Sequence, residues 1–201
     1  GDGRAKFLRI PAIVAAGLNG PSSANFANPW GSVSVLPNQF PNALDTAASY
    51  GESEAVLGRV LKDLKVAERM IVVTKVVAVR PALASGKSAE AIITASVLQS
   101  LRRLQLDTLP ICLFHLESDF EFMDILAKLK DKGLVRHVGV SAGARPGPAA
   151  RLVTEGKVEA LQIPANVFDP RHLQPDFLQA ARRQGVGVFV RSVFLQGLLI
   201  I

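Results

Sequence analysis

From residue 43 onward the chain alternates short, continuously apolar runs with longer amphipathic ones. Ala43-Leu44-Asp45 ends a first short strand, residues 70–76 form a β-branched run that delivers Lys75, and residues 109–115 form another that ends on His115. Such runs suit strands buried on both faces, and Pro110, near the start of its run, is tolerable there. Further strands are predicted at residues 136–141, 159–163 and 186–191. Between them apolar positions recur at helical spacing. One helix is predicted behind a Ser53 cap, with Val56, Leu57, Val60, Leu61 and Leu64 on one face. A longer one runs from a Ser88 cap through Ile92, Ile93, Val97, Leu98, Leu101 and Leu104. The next starts near Asp119, turns Phe122, Ile125, Leu126 and Leu129 inward, and stops at Gly133. Two more are predicted near residues 148–155 and 176–184, the latter stopping at Gly185.

Strands alternating with helices imply parallel βαβ units. No Gly-x-Gly-x-x-Gly follows any strand, which disfavours a dinucleotide-binding open sheet. Polar residues instead sit at the C-terminal ends of successive strands: Asp45, Lys75, His115 and Ser141. That is the active-site end of a (β/α)8 TIM-barrel type fold, which typically needs about 250 residues. The expectation is therefore a single α/β domain over residues 1–201, an incomplete barrel of about six to seven strands without its eighth βα unit. Residues 1–40 are a poorly defined N-terminal segment, with a strand or hairpin near 6–16 and a Gly-, Pro-, Ser- and Asn-rich loop over 17–38.

Composition narrows the partners. At 201 residues, 49% hydrophobic and 20% charged, the chain is ordinary globular material. No apolar run reaches about 18 residues, so no membrane span is expected, and the N-terminus lacks the order of a secretory signal. The formal charge of +6 suits an anionic ligand. Its cations are scattered: Arg102-Arg103 and Arg182-Arg183 sit near helix ends, and Lys128, Lys130 and Lys132 alternate with Asp124 and Asp131. Without a basic stripe interleaved with aromatics, a nucleic-acid partner is not expected. The single cysteine, Cys112, reads as a small buried hydrophobe in a reducing, cytoplasmic setting. His115, His137 and His172 lie on separate units, without metal-ligand spacing.

The chemistry concentrates in residues 44–54, where Asp45 is followed five residues later by the only tyrosine, Tyr50. Taken singly, Asp45 caps a turn, Tyr50 packs on a rim, Lys75 reaches solvent from a strand end, and His115 is a satisfied rim histidine. Taken together, the four meet over one opening at the ends of three consecutive strands. An acid beside a lysine keeps the lysine charged, and a charged lysine is expected to lower the pKa of a neighbouring phenol. That tuning suits general-acid work at neutral pH, with a neutral histidine orienting a carbonyl oxygen.

Asp45-Thr46-Ala47-x-x-Tyr50-Gly51-x-Ser53-Glu54-x-x-Leu57-Gly58 resembles the signature of the aldo-keto reductases. So do Val73-Thr74-Lys75, Ser100-Leu101-x-x-Leu104-x-x-Asp107, His115 and Gly133-x-Val135-Arg136-x-Val138-Gly139-Val140-Ser141. Gln162-Ile163-x-x-Asn166 and Ser192-x-x-x-Gln196-Gly197-Leu198-Leu199 continue the resemblance, which spans about residues 41–199. It implies a (β/α)8 barrel that reduces an aldehyde or ketone with NADPH, acting on a small-molecule carbonyl. By the same resemblance Asp45, Tyr50, Lys75 and His115 form the catalytic tetrad, with Tyr50 as proton donor. Ser141 and Gln162 would hold the nicotinamide carboxamide, and Arg191 stands where many members stack an aromatic ring. Ser192, Gln196, Gly197 and Leu198 would lie along the pyrophosphate. Ala142 departs from the family's usual asparagine. The rival expectation is a truncated or degenerate barrel without catalysis, serving as a binding or regulatory protein or as a non-functional fragment.

Overall fold

The structure, a computed structural model, describes residues 43–194. The expected N-terminal strand and loop, and Gln196, Gly197 and Leu198, lie outside the described residues. Among the described residues six strands form one all-parallel sheet in chain order: β1 (Ala43–Asp45), β2 (Ile71–Val76), β3 (Leu109–Phe114), β4 (Val135–Ser141), β5 (Ala160–Pro164) and β6 (Gly187–Arg191). Each gap between neighbours carries a helix: α1 (Ser53–Asp63), the short α2 (Val79–Ala82) with α3 (Ala89–Leu104), α4 (Met123–Asp131), α5 (Pro146–Thr154) and α6 (Pro175–Gln184). Parallel strands in sequence order, joined by crossover helices, are the construction of a (β/α)8 barrel, of which six strands lie among the described residues. Among the described residues no helix is long and apolar enough to cross a membrane.

Side chains alternate across a strand, and here the alternation separates two cores. Val72, Val76, Cys112, Phe114, Val138, Val140, Leu161 and Ile163 pack with the helices in the larger cluster. Ala43, Ile71, Val73, Ile111, Leu113, Ala160 and Phe189 form a smaller cluster on the opposite face. The step of two continues upward from that inner layer: Ala43 to Asp45, Val73 to Lys75, Leu113 to His115, Ala160 to Gln162, and Phe189 to Arg191. The candidate site is therefore the polar layer next above the inner apolar one. Ser141 joins it two residues after Gly139, which faces Leu113 and Ala160 in register.

Two expected helix starts differ. Ser53 is the first residue of α1 rather than its cap, and its hydroxyl accepts from the Thr46 hydroxyl at 2.9 Å instead of from a helix amide. The helix expected from Asp119 begins at Met123, after a 3-10 turn over Glu117–Phe122. Asp119 is withdrawn from it because its buried carboxylate accepts from the amides of Val79 at 2.8 Å and Arg80 at 3.3 Å, the first residues of α2. Ser88, by contrast, does cap α3, accepting from the Ala91 amide, and Gly185 closes α6 at φ 69°.

Candidate active site

Lys75 enters the site from the end of β2, in a run whose residues from Val72 to Val76 are all buried. Its ammonium donates to Asp45 Oδ1 at 2.8 Å and to the Thr46 carbonyl at 2.9 Å. The same Asp45 oxygen accepts from Gln162 Nε2 at 2.8 Å, and Gln162 Oε1 accepts from the Ser141 hydroxyl at 3.2 Å. One chain of hydrogen bonds thus links β2, β1, β5 and β4 across the mouth. A buried ammonium needs such partners, because burial alone lowers its pKa. Burial does lower the pKa of Lys75, and the charge and hydrogen bond of Asp45 oppose it.

Tyr50 follows on the turn after β1. The Lys75 ammonium stands 5.3 Å from its ring centroid, and His115 packs edge-on against it, with centroids 5.6 Å apart. The structure thus brings Asp45, Tyr50, Lys75 and His115 together, with Ser141 and Gln162 beside them. The expected lowering of the Tyr50 pKa is corrected. Burial first and the charge of Asp45 second raise it, and of the charges around it Arg191 pulls the other way. Burial and then Lys75 lower the pKa of His115, favouring the neutral ring. Ser49 Oγ lies 3.1 Å from His115 Nδ1, a contact that fixes the ring's orientation.

Arg191 ends β6 on the same face. Its Nη2 donates to the Ala142 carbonyl at 3.0 Å and its Nη1 to the Ser192 hydroxyl at 3.4 Å. Ser192 itself adopts φ 64°, a left-handed conformation that a non-glycine residue holds only under constraint. Arg191 therefore grips the backbone at Ala142 instead of standing free as an isolated flat surface.

A second, buried assembly supports the turn that carries Tyr50, and sequence reasoning assigned it no role. Glu54 is fully buried, accepts from the Thr74 hydroxyl at 2.7 Å, and lies 3.7 Å from the Arg103 guanidinium. Arg103 donates in turn to the Ala48 carbonyl, two residues before Tyr50. The only signal in the sequence was an acid on the apolar face of α1. On the other side of the mouth, Asp119 and an Arg80–Glu121 ion pair join the loops after β2 and β3.

These features define an α/β barrel with a titratable cluster at the C-terminal strand ends. The chain belongs to the aldo/keto reductase family, whose model matches residues 23–200. It is similar to an aldo-keto reductase from Bacillus halodurans in its holo form, at 26% identity and a TM-score of 0.61, over 79% of this chain and 54% of that one. It also shares its fold with an aldo/keto reductase from Klebsiella pneumoniae in complex with NADP and acetate, at 24% identity and a TM-score of 0.61, over 78% of this chain and 54% of that one. The chain spans about half the length of these structures. No curated protein matches it.

Proposed function

We propose that this chain forms a single aldo-keto reductase domain that reduces an aldehyde or ketone to an alcohol, with NADPH as cofactor and Tyr50 as the proton donor. The observation that carries the reading is the buried Lys75–Asp45 pair set 5.3 Å from the Tyr50 ring. The residues present fit a nicotinamide: a buried serine hydroxyl and a buried glutamine amide, Ser141 and Gln162, lie side by side next to Asp45. They match the donors and acceptors of a carboxamide. Ser192, Gln196, Gly197 and Leu198 would hold the rest of the cofactor. When bound there, the nicotinamide supplies the hydride.

The chain's own residues then manage the oxygen. Neutral His115, held by Ser49, orients the carbonyl oxygen toward the phenol. Tyr50 is protonated at neutral pH, as an unperturbed phenol is and as its raised pKa keeps it, so a proton is available as negative charge develops on that oxygen. The phenolate left behind faces the Lys75 ammonium, and Asp45 keeps that ammonium in place and charged. On the same family footing, the lone buried Cys112 suits a reducing, cytoplasmic setting.

Nicotinamide absorbance followed with NADPH and a reactive aldehyde tests this, comparing the wild type with Tyr50→Phe. The variant should lose roughly 10²- to 10⁴-fold in turnover while its melting temperature stays close to that of the wild type. Turnover that survives the loss of the hydroxyl would remove Tyr50 as donor. A wild-type chain that NADPH stabilises against heat but that reduces nothing would favour the non-catalytic barrel.

A further inference from the structure

We infer that Glu117 is a positioning residue for the cofactor: with Arg191 it holds the Ala142–Gly143 peptide, and through that peptide the end of β4, in place for NADPH. The inference rests on the reductase reading above and adds a residue to its binding machinery. It starts from one peptide group gripped at both ends by opposite charges. The Ala142 carbonyl accepts from Arg191 Nη2 at 3.0 Å, and the Gly143 amide, the N–H of the same peptide, donates to Glu117 Oε2 at 3.3 Å. Glu117 stands two residues past His115 on the turn after β3, Arg191 ends β6, and the peptide directly follows β4. Three strand ends thus meet on one amide plane.

The clamp adjoins the groups assigned to the nicotinamide. Ser141, next before the peptide, donates to Gln162 Oε1, and the Ala142 amide donates to the Gln162 carbonyl at 2.7 Å. A rotation of the 142–143 peptide would therefore be felt at both Ser141 and Gln162. A peptide dipole between a guanidinium and a carboxylate is fixed in direction by both, because each bond is charge-assisted. Glycine at 143 leaves the carboxylate room, since a Cβ there would stand 3.1 Å from Glu117 Oε2. The surroundings of Glu117 also differ from those of a purely structural acid. Its Oε1 is buried and has no hydrogen-bond partner among the described residues, an arrangement that costs stability. Asp119, two residues on, gives the contrast: both its oxygens accept from amides, those of Val79 and Arg80, and it fastens the loop after β2. Glu117 meets a single amide, that of the segment beside Ser141.

The experiment measures Kd for NADPH from the change in nicotinamide fluorescence, with no substrate present. NADPH is an anion, so a role of charge alone predicts tighter binding once Glu117 is removed, and equally so for Glu117→Gln and Glu117→Ala. Positioning predicts the opposite sign and an order. Glu117→Ala, which leaves the Gly143 amide without its acceptor, should raise Kd roughly tenfold, the lower end of what a charge-assisted hydrogen bond is worth. Glu117→Gln, which keeps the volume and an acceptor oxygen, should raise it less, and it carries the same test of sign if the alanine disturbs folding. Combining Glu117→Ala with Arg191→Met should raise Kd by less than the product of the two single effects, because both act on one peptide. A Kd that falls or stays at the wild-type value in the Glu117 variants, or a double variant that equals that product, overturns the inference and leaves the reductase reading standing. Absence of NADPH binding by the wild type overturns both.

Discussion

Replacing Lys75 with methionine tests whether the site is held together by a buried ion pair. The Lys75 and Asp45 side chains are 1% and 4% exposed, and this decides the scale of the effect. An exposed pair would be worth about 0–1 kcal/mol, whereas removing one partner of a buried pair costs about 3–5 kcal/mol, because the other charge is stranded. Methionine fills the volume of the lysine stem, so the loss isolates the charge and its hydrogen bonds to Asp45 and the Thr46 carbonyl. Asp45 would retain Gln162 alone. The expected outcome for Lys75→Met is a fall of about 3–5 kcal/mol in urea-unfolding free energy at pH 7, or roughly 10 °C in Tm. The double variant Asp45→Asn with Lys75→Met should recover about 2 kcal/mol of that loss, since no charge is then stranded. Acidification, which protonates the stranded carboxylate, should narrow the gap between Lys75→Met and wild type. Far-UV circular dichroism in urea at several pH values reads all three quantities. A Lys75→Met chain within about 0.5 kcal/mol of wild type, or a double variant as unstable as the sum of its singles, would refute the reasoning.

Three further outcomes follow from packing and charge elsewhere in the fold. Alanine at Gly58 would ordinarily stabilise a helix by up to about 1 kcal/mol, but its Cβ would meet the Arg103 carbonyl and lie 2.8 Å from the Leu104 carbonyl carbon. Those are backbone atoms of α3, so Gly58→Ala should instead lower the urea midpoint by about 1–3 kcal/mol equivalent. Glu159 is held at a pKa of about 2, chiefly by its hydrogen bond from His137 and also by Lys130. A carboxylate depressed in the folded state contributes stability above its unfolded pKa and loses it as pH falls. Wild type should therefore exceed Glu159→Gln above about pH 4.5, and the difference should vanish by about pH 2 in acid melts. Burial pushes the Cys112 thiol up to about 12, so Ellman's reagent should label the chain at pH 8 only once urea has unfolded it.

The strands and most helices were legible because each carries its own period: β-branched runs for β2 and β3, an i, i+3, i+4 stripe for α3. The inner polar layer was legible for the same reason, since a step of two residues carries Val73 to Lys75 and Leu113 to His115. What escaped has no period to read. The short α2 and the 3-10 turn before α4 are too brief for an amphipathic pattern, and they are set by Asp119, whose carboxylate is bonded to amides forty and thirty-nine residues away. Glu54 and Arg103 support one turn from two helices, a pairing that only tertiary structure reveals. Ser53 looked like a cap because its residue type favours one, yet Thr46 engages its hydroxyl first.

The direction of the Tyr50 shift shows how sequence and structure weigh charge differently. On the sequence, a lysine near a phenol argues for an acidified phenol. In the fold, Lys75 is bound to Asp45 at 2.8 Å, so the field the pair exerts on the ring is largely that of a dipole, and Asp45 contributes with the opposite sign. Burial then dominates, because it penalises the phenolate whatever the partners do. Arg191, the one cation near the ring without a carboxylate partner among the described residues, is what remains to favour ionisation. A phenol with a pKa of about 10 is already protonated at neutral pH, so raising it adds nothing to the proton-bearing state and, under the donor role proposed above, costs acid strength.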